Sequence, residues 1–145
     1  GYTYSPFSQI SSRRGDAYWV QNADVSTEVT APALKEIFFE IDRLQGEPPA
    51  KEELAGVQSY MAGVFVLRNS SRAGIINQLE FLVRHGLPDD YLRQYVDEVL
   101  AVTPADVQGA ATRYIRDEAM TIVAVGDRKV IEGELALYGE DEKEK

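Results

Sequence analysis

Met120-Thr121-Ile122-Val123-Ala124-Val125-Gly126-Asp127 is the stretch on which the fold class turns. Ahead of it lie some ninety residues patterned for helices. An almost wholly apolar run of six, closed by a Gly-Asp turn signal, is too short for a core helix. It reads as a strand buried on both faces. A strand needs a partner for its backbone groups, and the only other β-prone sequence is at the opposite end of the chain. There, Gly1 to Ser12 is rich in Tyr, Thr, Ser, Phe and Ile, and Ala17 to Val25 carries Tyr18, Trp19 and Val20. Between them, Ser12-Arg13-Arg14-Gly15-Asp16 has turn chemistry, so the two runs form a β-hairpin. The late strand is expected to return to this hairpin, giving an α+β fold in which a mostly antiparallel sheet is covered by helices.

The intervening helices are marked by period and punctuation. Leu34, Ile37, Phe38, Ile41 and Leu44 share one helical face, with Thr30 as a start signal and Gly46 as a stop. After Pro48-Pro49, a second helix opens with Glu52 and Glu53 at the positive end of its dipole. Its expected stripe is Leu54, Val57, Met61 and Val64. Asn69-Ser70-Ser71 breaks it. A third helix carries Ile75, Ile76, Leu79, Leu82 and Val83 and ends at His85-Gly86. Pro88-Asp89-Asp90 introduces a fourth with Tyr91, Leu92, Tyr95, Val96 and Val99. Thr103-Pro104-Ala105-Asp106 is a capped start for a fifth, carrying Val107, Ala110, Ala111, Tyr114 and Ile115. One domain is expected over residues 1–137, followed by a charged, disordered tail over 138–145.

Composition excludes several classes of function. The 145 residues carry 24 acidic and 15 basic side chains, a net charge of −9, which disfavours nucleic acid as a partner. There are no cysteines, so thiol catalysis, disulfides and thiolate metal sites are all absent. No apolar run approaches the ~20 residues of a membrane span. Neither composition nor the N-terminal residues identify a compartment.

His85 is the one histidine. A catalytic zinc site takes three protein ligands, usually including two histidines, so His85 reads as a helix-end residue near terminal carbonyls. Glu52-Glu53 and Asp89-Asp90 are adjacent pairs in first helical turns; neighbours on a helix point about 100° apart and do not form an acid–base pair. Arg14-Gly15-Asp16 is turn chemistry before it is an adhesion tripeptide. Asn69-Ser70-Ser71 matches a glycosylation pattern but equally explains a helix break. Arg68 and Arg72 beside that break read as solvated surface.

Five segments carry a resemblance. They are Gly1-Tyr2-Thr3-Tyr4-Ser5 with a hairpin closing through Arg13-Arg14-Gly15; Gly86-Leu87-Pro88-Asp89-Asp90-Tyr91-Leu92; Val102-Thr103-Pro104-Ala105-Asp106-Val107; and Thr121 to Asp127. In this order, over roughly residues 1 to 130, the chain resembles the second half of a domain of the insulinase/pitrilysin-type zinc peptidases, which include the mitochondrial processing peptidases. The resemblance implies a C-terminal, non-zinc domain lacking its first strands and helix. Such domains help hold an extended peptide substrate, and Gly1-Tyr2 matches the family's Gly-Tyr pair, making Tyr2 the candidate substrate-binding residue. The family's partner arginine would precede residue 1. Zinc and the His-x-x-Glu-His motif would belong to another domain or a partner subunit, so no catalytic residue and no cofactor is assigned to this chain. The resemblance also allows a non-catalytic structural or assembly subunit of the same fold. A sheet with an unprotected edge leads further to an expected homo-oligomer.

Overall fold

The computed structural model describes residues 2–138. Strands β1 (Phe7–Arg13) and β2 (Asp16–Asn22) form an antiparallel hairpin in a single register from Phe7↔Asn22 to Arg13↔Asp16. The two-residue loop Arg14-Gly15 places Gly15 at φ +79°, where a side chain is strained. A further bridge joins Thr3 to Val25. Six helices follow among the described residues: α1 (Thr30–Gly46), α2 (Lys51–Arg68), α3 (Arg72–His85), α4 (Tyr91–Ala101), α5 (Pro104–Tyr114) and α6 (Arg128–Leu135).

The helix punctuation behaves as the sequence implies. Thr103 and Asp106 form a reciprocal capping box at α5, with the Asp106 N–H donating to Thr103 Oγ1 at 3.2 Å and the Thr103 N–H donating to Asp106 Oδ2 at 2.9 Å. Gly86 ends α3 in the left-handed conformation, φ +63°. The hydroxyl of Thr103, then its backbone N–H, hold the Asp106 carboxyl below the usual carboxylate range. A depressed folded-state value means that this contribution is complete above the unfolded carboxylate pKa of about 4. It is lost as pH falls through the lower folded value. Asp106→Asn is therefore expected to flatten the acid limb of a stability–pH curve below about pH 4, and Thr103→Ala to lower stability by about 1 kcal/mol at neutral pH. Urea melts at stepped pH check both; an unchanged acid limb in Asp106→Asn contradicts the linkage.

α1 is the central element. It packs against α5 and α6, and its stripe points inward as expected, with Ala33 and Ile41 buried. Its C-terminal end is tied to α5 by Gln45 Nε2 donating to Ile115 O at 2.5 Å and Gln108 Nε2 donating to Gln45 O at 2.9 Å. The second layer is α2 on α4, with Phe65 and Tyr95 stacked at 4.4 Å. Here the expected stripe is rotated. The inward residues of α2 are Leu54, Gln58, Ala62, Val64 and Phe65, while Val57 and Met61 face solvent. The reason is Gln58. The last carbonyls of a helix lack intrahelical partners, and Gln58 Nε2 donates to Val99 O at 2.8 Å and Val102 O at 2.9 Å, around the end of α4. A polar side chain thus occupies the seam. On α3 only Leu82 of the expected stripe is buried; Ile75, Ile76, Leu79 and Val83 are exposed.

The largest correction concerns residues 120–126. They form no strand, and among the described residues the sheet has two strands only. The fold is a small mixed α+β arrangement dominated by helices. Met120 enters the segment with extended backbone, but Val123 is 82% exposed and Val125 98%. No backbone–backbone hydrogen bond among the described residues engages residues 121–126. β-prone sequence alone does not make a strand; a ladder has two sides, and here the second side is missing. Immediately after it, α6 arises from Asp127, whose carboxylate accepts from the Lys129 N–H at 3.0 Å. Tyr138, the first residue of the expected tail, stacks on Phe38 at 5.6 Å; residues 139–145 of that tail lie outside the described residues.

Candidate functional site: the hairpin edge and an adjoining groove

Tyr2 stands at the start of the hairpin, next to the Thr3↔Val25 bridge. Its ring is half-exposed, and no hydrogen bond among the described residues engages its hydroxyl. The hydroxyl of Thr3 is buried and has no hydrogen-bond partner. A buried polar group left unmade costs about 1–3 kcal/mol, so the entrance of the hairpin carries one phenol free to donate and one hydroxyl lacking a partner. Among the described residues β1 has no strand on its outer side, and its side chains are nearly all exposed, Phe7 and Ile10 among them. Its outer backbone groups present a row of donors and acceptors of the kind that an extended peptide pairs with.

On the other side of the hairpin lies a groove of about 820 Å³, bordered by β2, by α1 and by residues 119–126. Val25, the bridge partner of Thr3, lines it, so Tyr2 is close to one end. The floor is apolar, contributed by Leu34, Ile37, Phe38 and Ile41. Trp19, the single tryptophan, lines one wall. The one sequence signal of this groove is the β-prone run 120–125, whose pattern implies a strand that is paired.

The remaining candidates do not converge on it. His85 ends α3 with its ring 4.5 Å from that of Phe81, and no three His, Cys, Asp or Glu side chains come together as a metal-holding group among the described residues. Glu52 and Glu53 sit in the first turn of α2, and Asp90 accepts from Gln94 Nε2 at 2.8 Å, so each carboxylate pair serves its own helix. Asn69 Nδ2 donates to Phe65 O at 2.8 Å, a bond that ends α2 and occupies the amide. No helix among the described residues is long and apolar enough to cross a membrane. Compared with known proteins, the chain matches no protein-family model and no curated protein.

Proposed function

We propose that this chain is the peptide-gripping, zinc-free part of a domain of the insulinase/pitrilysin type, within a zinc-dependent metallopeptidase. The supporting observation is the free outer edge of β1 with Tyr2 at its entrance. An extended peptide adds to that edge as a further strand, its backbone supplying affinity and alternate side chains specificity. The Tyr2 phenol donates to a peptide carbonyl, a bond whose value grows if charge develops on that oxygen. Zinc, its water and the activating glutamate come from another domain or subunit. In the complete domain the sheet is mostly antiparallel and covered by helices. The protein also self-associates.

A second reading has its own support. Val57, Tyr60 and Met61 on α2 and Ile76, Leu79 and Val83 on α3 all lie exposed at the surface, and grouped exposed apolar side chains mark sites where partners dock. That surface suits a structural or assembly subunit of the same fold.

The purified protein is expected to hydrolyse no peptide and to retain no zinc after dialysis. It should still bind an unfolded peptide, and Tyr2→Phe should weaken that binding about 2- to 10-fold, the value of one hydrogen bond. Chelator-sensitive cleavage by the protein alone contradicts the assignment. Absence of any peptide binding by fluorescence anisotropy favours the assembly subunit.

A further inference from the structure

The groove beside β2 has the properties of an unfilled place in a sheet. Two observations say what fills it. The first is area. A compact monomer of 16.2 kDa exposes about 7,500 Å², whereas this chain exposes 11657 Å². The eight residues outside the description hold at most about 1,300 Å² of that surplus. What remains exceeds the ~800 Å² per partner buried in a stable interface. Only five of the described residues are buried, none of them completely. The second observation is chemical. β2 is paired on one side only, and residues 121–126 on neither, so two bordering segments carry unpaired backbone groups. A helix has already used its own N–H and C=O groups; another extended backbone is the occupant that can pair with both walls.

We propose that the occupant is Thr121–Val125 of a second copy, exchanged reciprocally about a two-fold axis. Each copy's run enters the other's groove, between the partner's β2 and the partner's own 121–125 run. The strand order across the dimer is then β1, β2, the second copy's run, the first copy's run, and the second copy's β2 and β1. The contact is self-complementary and closes at two copies. Both runs become central strands, which agrees with the near-continuous apolar sequence Ile122-Val123-Ala124-Val125, the pattern of strands covered on both faces. The outer edges of β1 stay free, so peptide addition there is unaffected. This inference rests on the self-association proposed above and specifies the surface that mediates it.

The test combines light scattering with amide hydrogen exchange on the full chain and two variants. Val123→Pro removes one N–H that has no partner within the protomer, but it interrupts a central strand of the exchanged sheet. Val83→Lys places a charge on the exposed face of α3, the rival contact. Expected are a wild-type mass twice that of the protomer and amides 122–125 slowed at least about a hundredfold. Val123→Pro should be monomeric with unchanged helical circular dichroism, and Val83→Lys should remain dimeric. A wild-type monomer overturns both the self-association and the exchange. A wild-type dimer that survives Val123→Pro, with fast amides at 122–125, overturns the exchange alone, as does open-ended association without a plateau at two copies.

Discussion

Gly74→Ala is expected to destabilise the protein by about 1–3 kcal/mol or more, a cost of overpacking against backbone that cannot move aside cheaply. Gly74 lies in the first turn of α3, where the chain reverses out of α2. A Cβ at this position would stand 1.6 Å from the carbonyl oxygen of Arg68 and 2.8 Å from its carbonyl carbon. Both of these atoms are backbone, so either the end of α2 or the start of α3 has to shift. That shift also threatens the helix cap, in which the Gly74 N–H donates to Ser71 Oγ at 3.0 Å. Gly63, eleven residues earlier in α2, is the internal control. A Cβ there meets nothing within 4 Å, and alanine in a helix interior is preferred over glycine by up to about 1 kcal/mol. The two glycine-to-alanine changes should therefore move the urea midpoint in opposite directions. Equal, small shifts would show that the α2–α3 junction is looser than described.

Ile41→Ala is expected to cost about 2–4 kcal/mol, the range for deleting three carbons from a buried aliphatic side chain with partial relaxation. Ile41 is 7% exposed on α1, the helix that contacts both α5 and α6. It also lines the groove, so part of the space vacated joins an opening that already exists, which holds the cost below the top of the range. Val57 on α2 is half-exposed, and Val57→Ala should stay within about 0.5 kcal/mol. Denaturation of both variants at a protein concentration where the oligomeric state is constant separates the two. If Val57→Ala costs as much as Ile41→Ala, the exposed face of α2 is covered in solution.

Much of the helical architecture was legible because its signals are local. The Thr103–Asp106 capping box, Gly86 as a left-handed stop and the Arg14-Gly15 turn each involve residues within a few positions of one another. The apolar period of α1 and α4 is inward in the structure as in the sequence. Where structure and sequence pattern differ on α2, the deciding contact lies far along the chain. The face of α2 was rotated by Gln58 reaching the end of α4, more than forty residues away. α6 is not legible in the sequence because half of its eight residues are charged, and Ile131 is its one buried side chain.

Tyr2 shows the same division at the candidate site. Its residue type and place beside a hairpin were legible; the unpartnered Thr3 hydroxyl beside it and the groove beyond Val25 were not. By itself the sequence determined the hairpin and five of the six helices among the described residues, because these depend on neighbours in the chain. Tertiary structure alone decided the state of Met120–Val125. An apolar β-prone run is a strand only when another backbone pairs with it, and among the described residues none does.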